Sequence, residues 1–190
     1  APYMSSDVHE GRAVFPFVRL RGPLALVGLS SAVARPMFFA NGLVGPDQAG
    51  RLAEVLEDRR VRARLPVVLI HHPLVPHRML SREVQAGLLD RKRVLEALGE
   101  GLGRRDALVL SGHWHRRARL RLDLPGRVVQ LQAPSASHLG GSPARLGAYY
   151  LLRVDDGEDG NPRLIGGEAR AYDPKTAKVE TVDSWTGLGV

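Results

Sequence analysis

Two stretches whose hydrophobicity runs on without alternating, PVVLI at 66–70 and DALVL at 106–110, most constrain what this chain can fold into. A strand with one wet face alternates apolar and polar residues. One that does not alternate is covered on both sides, as the strands of parallel sheets are. Helical patterns precede both. GPDQAGRLAEVLEDRR at 45–60 carries Pro46 in its first turn, Asp47 early, basic residues late, and Leu52, Val55 and Leu56 on one face. After a Pro-rich loop, Asp90 is placed to cap a second helix through RKRVLEALGEG, which ends at glycine. The order helix, strand, helix, strand predicts an α/β sheet whose strands open into loops along one edge.

The flanking regions differ in character. FPFVRL at 15–20 and LALVGL at 24–29 are β-rich and joined by the turn RGP, which predicts an antiparallel hairpin or meander. Beyond residue 117, RARLRLDL, RVVQLQA, AYYLLRV and PRLIGGEARAY are short alternating segments between Gly and Pro turns, read as one antiparallel sheet beside the first. TVDSWTGLGV reads as a loose tail or a last edge contact. The 190 residues are expected to form a single domain, long enough to bury roughly 70% of the surface the unfolded chain exposes.

Histidines are few, seven in all, yet they gather where the two buried strands end: His71 and His72 after VVLI, His113 and His115 in LSGHWH. Imidazole suits Zn, Mn and Fe, and Gly112 would leave room for a close approach. His71, His113 and His115 are the expected metal ligands; the competing reading makes each a polar strand terminator of ordinary burial. His72 is better read as a substrate contact or bystander than as a ligand. His77, His138 and Trp114 are left outside the site. No catalytic residue is identifiable.

Composition narrows the function classes. No apolar run approaches the ~18 residues of a membrane helix, so no membrane partner is expected. Zero cysteines exclude disulfides, thiolate metal sites and thiol nucleophiles, and fit a reducing cytoplasm. The net charge of +7 invites a nucleic-acid reading, but of 27 basic residues only Lys92, Lys175 and Lys178 are lysines, and the arginines are spread through every expected element. Nucleic acid is therefore not expected as a partner, except as a nucleotide substrate.

VVLIHHP and LSGHWH together resemble the later motifs of the calcineurin-like metallophosphoesterase superfamily, a strand ending in H-H-P followed by a strand ending in G-H-x-H. The runs FPFVRLRGPLALVGLSSA and FFANGLVGPDQAGRLAEVL are similar to what bacterial members related to class III cyclic-nucleotide phosphodiesterases carry before the H-H-P strand. The resemblance implies the C-terminal part of a four-layer αββα sandwich, with His71, His113 and His115 as metal ligands. It implies a dinuclear Mn, Fe or Zn site in the complete protein, and hydrolysis of a phosphomono- or phosphodiester by metal-activated hydroxide.

The superfamily's earlier motifs, D-x-H, G-D-x-x-D and G-N-H, would precede Ala1. Asp7 and His9 spell D-x-H, but no apolar strand leads into them, so they are discounted. The chain alone is thus expected to have little activity and to need an N-terminal region or a partner chain. Without that half, the strands near 67–70 and 106–110 are expected to expose an apolar face. The alternative is a degenerate member or inactive fragment serving as a binding or structural module. Neither substrate nor metal identity can be read from the sequence.

Overall fold

The computed structural model describes residues 6–8, 15–76, 80–138, 142–158 and 160–188. The N-terminal hairpin forms as expected: β1 (Phe17–Arg21) pairs antiparallel with β2 (Leu24–Gly28) around Gly22, whose φ of 50° only glycine adopts without cost. Helix α1 (Pro46–Glu57) is followed by the one-turn α2 (Arg59–Arg62), β3 (Leu65–Leu69), α3 (Leu80–Ala86), α4 (Arg91–Leu102) and β4 (Ala107–Ser111). Then come β5 (Ala118–Arg121), β6 (Val128–Gln132), a 3-10 turn at Pro143–Arg145, β7 (Ala148–Asp155), β8 (Arg163–Asp173) and β9 (Lys178–Thr186).

The first sheet has the order β1-β2-β3-β4-β6-β5, parallel across β2, β3, β4 and β6, with antiparallel edges. β7, β8 and β9 form a separate antiparallel sheet. The molecule is therefore mixed α and β. The segments after residue 117 do not make one sheet, because β6 continues the parallel ladder from β4 and takes β5 with it. Periodicity alone could not separate these strands, since VVQLQ is buried at all five positions.

Alternation along β3 and β4 explains why both read as unbroken apolar runs. Val68 and Val109, both fully buried, face Leu52, Leu56, Val94 and Leu98 of α1 and α4. Their neighbours Leu65, Val67 and Leu108 face Leu164 and Trp185 of the second sheet. The expectation that these strands expose an apolar face is thus overturned: Val67 is 3% and Leu108 1% exposed. β7–β9 cover the face that was expected to lie open. The second sheet carries exposed apolar residues of its own, among them Tyr149, Leu151 and Val179 at 41–50% exposure.

Several local expectations also change. The helix at 45–60 breaks at Asp58, whose extended backbone ends α1, and whose side chain accepts from Arg60 N–H to start α2. Asp90 stands at the N-cap of α4 without capping it; its carboxylate takes the N–H groups of Val44 (3.0 Å) and Gly45 (2.7 Å), tying the entry of α1 to that of α4. α3 occupies the stretch expected to be loop. TVDSW is strand, and its Trp185 is 8% exposed under the cation of Arg119, 4.7 Å from the ring centre. No helix among the described residues is long and apolar enough to cross a membrane.

Candidate functional site

β3 and β4 lie side by side and parallel, so their carboxyl ends release their loops at the same edge. The ladder runs on past both strands, with Ile70 N–H donating to Leu110 O (3.1 Å) and Gly112 N–H to His71 O (3.1 Å). That pairing sets His71 opposite the G-H-x-H turn. His71 Nε2 and His113 Nδ1 come within 3.1 Å, with ring centres 5.0 Å apart.

The turn itself is unusual. His113 (φ 66°) and His115 (φ 48°) both adopt the left-handed conformation, uncommon for residues with a Cβ and often found where a site over-determines the backbone. Trp114 N–H donating to Gly112 O (2.8 Å) closes it. A Cβ at Gly112 would meet only His71 Nδ1 at 3.9 Å, an ordinary contact, so no neighbouring protein atom requires a glycine there.

His72 is buried at 5% exposure and both ring nitrogens are occupied. Ser31 Oγ lies 2.8 Å from Nδ1 and the Ala40 carbonyl 2.8 Å from Nε2. A consistent assignment has Nε2–H donating to Ala40 and the serine hydroxyl donating to Nδ1 while accepting from the His72 N–H at 3.4 Å. No lone pair is left for an ion. His72 is therefore a bracket that fixes the loop behind His71. Gly42 makes it fit, since a Cβ there would stand 2.7 Å from His72 Cε1.

Electrostatics keeps the cluster neutral. Burial lowers the pKa of His113 to about 4, and the neighbouring His72, His71 and His115 push the same way against a hydrogen bond to the Ala86 carbonyl. Burial, then His115, lowers His71; burial likewise lowers His72, opposed by its bond to Ala40. Uncharged imidazoles are what a metal ion requires.

The fit to a metal is partial. His71 and His113 present adjacent nitrogens, and His115 is exposed two residues further along the turn. Among the described residues no group of three or more His, Cys, Asp or Glu is gathered around one point. Asp7 is far from this role: its carboxylate accepts from Leu20 N–H (2.8 Å) and pairs with Arg19 and Arg21, and the Leu20 bond leads in lowering its pKa. His9 and His77 lie outside the described residues.

Beside the histidines opens a cavity of about 650 Å³, lined by His113, Trp114, His115 and His138 together with Arg82, Arg116 and Arg145. His71 stands outside that lining. Trp114 and His138, left out on sequence grounds, belong to the wall. The three arginines were not foreseen, because they come from α3, the loop after β4 and the 3-10 turn before β7. Only Arg116, next to the G-H-x-H turn, carried a local signal. The chain matches no protein-family model, and no curated protein matches it.

Proposed function

We propose that this chain carries the histidine side of a metal-dependent phosphoesterase, hydrolysing a phosphomono- or phosphodiester in a reducing compartment such as the cytoplasm. The observation that carries the reading is the 3.1 Å approach of His71 Nε2 to His113 Nδ1 at the ends of adjacent parallel strands. Two imidazole nitrogens bound to one ion at ~2.05 Å stand ~2.9 Å apart at a right angle and ~3.3 Å apart at the tetrahedral angle. The pair therefore needs little movement to share an ion. His115, on the same turn, is the third ligand in this reading.

When bound, a divalent pair of Mn, Fe or Zn would polarise the phosphoryl oxygens and make a water acidic enough to attack at neutral pH. The chain's own residues hold and orient. Ser31 and Ala40 fix His72, which fixes the loop of His71; burial keeps His113 unprotonated. Carboxylate ligands would come from an N-terminal region or a partner chain. The four-layer arrangement belongs to the same proposal: the exposed Tyr149, Leu151 and Val179 of the second sheet are where a further layer would pack.

A second reading, a binding or structural module, is favoured by one observation. Among the described residues no carboxylate joins the histidines, and neutral imidazoles alone do not offset the repulsion between two dications.

Calorimetric titration of the chelator-treated protein with Mn²⁺ or Zn²⁺ tests the first reading. His71→Ala and His113→Ala should each lower the affinity by at least ~tenfold. Affinity unchanged in both would remove the histidine site. Turnover of bis-p-nitrophenyl phosphate by the 190-residue chain should be slight even with added manganese; robust turnover would show that the missing carboxylates are not needed.

A further inference from the structure

We propose that the cavity beside the histidines is a diphosphate site, so that the substrate is a phosphate ester bearing a second phosphoryl group. As a statement about substrate this rests on the phosphoesterase reading; as a statement about what the cavity binds it does not. Arg82, Arg116 and Arg145 reach the cavity from three separate elements, and no carboxylate lines it. Among the described residues none of the three forms an ion pair. Glu83, the acid next to Arg82 on α3, pairs with Arg91.

Guanidinium groups present forked donors that match phosphate oxygens two at a time. Three of them around one space, uncompensated, repel one another until an anion enters. A volume of about 650 Å³ is that of a small-molecule site, larger than one phosphate requires. One phosphoryl group beside His113 leaves the arginines for a second, and Trp114 on the same wall supplies aromatic surface to whatever the diphosphate carries.

The scattered arginines and net charge of +7 would attract any anion weakly, so the test must separate the cavity from the surface. Inorganic pyrophosphate and orthophosphate are titrated calorimetrically into the full chain in EDTA, which removes metal from the comparison. Pyrophosphate should bind saturably with one site, about tenfold or more tighter than orthophosphate. Arg82→Ala and Arg145→Ala should each weaken it by about tenfold. Arg59→Ala on α2, which leads into the amino end of β3 and away from the cavity, should leave it unchanged.

Both cavity arginines are exposed, so their variants are expected to keep the fold, which circular dichroism checks. Absence of saturable binding overturns the proposal, and so does pyrophosphate affinity that Arg59→Ala lowers as much as Arg145→Ala does. Manganese titration of the same Arg145→Ala protein keeps the two readings apart. Intact metal affinity with lost pyrophosphate affinity confirms a separate anion site; intact pyrophosphate affinity in a protein that binds no metal would defeat the phosphoesterase reading alone.

Discussion

Raising the pH is expected to loosen the contact between the two sheets through one phenol. Tyr150 on β7 points into the layer between them. Its hydroxyl reaches Gln132 O of β6 (3.0 Å) and Ala118 O of β5 (3.3 Å), and its ring meets Trp185 edge-on at 6.0 Å. Burial pushes its pKa up to about 12, with Asp183 adding and Arg117 opposing. An unfolded tyrosine titrates near 10, so between pH 10 and 12 the unfolded chain binds fewer protons than the folded one, and stability falls as pH rises. From those two values the loss is about 1.4 kcal/mol at pH 11 and approaches about 2.7 kcal/mol above pH 12.

Tyr150→Phe isolates this term, because all other titrating groups cancel in the difference between variant and parent. At pH 8 the variant should be the less stable by about 1 kcal/mol, the net worth of one hydrogen bond. By pH 11 the parent has lost that advantage, so the two urea midpoints should meet or cross. Curves that stay parallel from pH 8 to 11 would mean that the phenol is as solvated in the folded protein as in the unfolded one, and the docking of the second sheet on the first would be wrong at this point.

Gly42→Ala should cost about 1–3 kcal/mol in urea unfolding, because its methyl would overlap a histidine ring that Ser31 and Ala40 hold in place; a change below ~0.5 kcal/mol would show that His72 is not anchored. On the acid side, His113 lowered to about 4 stays neutral in the fold while its unfolded counterpart protonates near 6.5, so metal-free protein should lose about 2 kcal/mol between pH 7 and 5 through this group. His113→Asn, a residue that tolerates φ 66°, should lose correspondingly less over the same interval; equal losses in both would remove the burial argument.

What the sequence disclosed follows from the range of the forces involved. The doubly buried strands were legible because burial on two faces leaves a run without alternation, and the ends of those strands therefore located His71 and His113. α3 was not legible: Leu80–Ala86 is short and follows a proline-rich loop, and PHRM, the sequence before it, holds no Ser, Thr, Asp or Asn to announce a start. Nor was the division of the later strands between two sheets, since β5–β6 and β7–β8 are both antiparallel neighbours and only the pairing of β6 with β4 distinguishes them. Asp90 has the composition of a cap, but it bonds 45 residues back in the chain, where a tertiary partner outcompetes the local one. The cationic cavity was hidden for the same reason, because scattered arginines look like a solvated surface until the fold brings three together.

The charges around the turn make the two proposed ligands interdependent. Neutral nitrogens on His71 and His113 stand next to a cavity whose wall carries three guanidinium groups and no acid. A dication held by the imidazoles would face those positive charges at short range, and its affinity would suffer until an anion occupied the cavity. An anion bound by the arginines would in turn bring spare oxygens toward the ion. Each would therefore tighten the other by the same factor, as linkage between two sites requires. In a site with its own carboxylates the ion would need no such help. The stronger the dependence of manganese affinity on pyrophosphate in the isolated chain, the more of the ion's compensation is missing from these 190 residues.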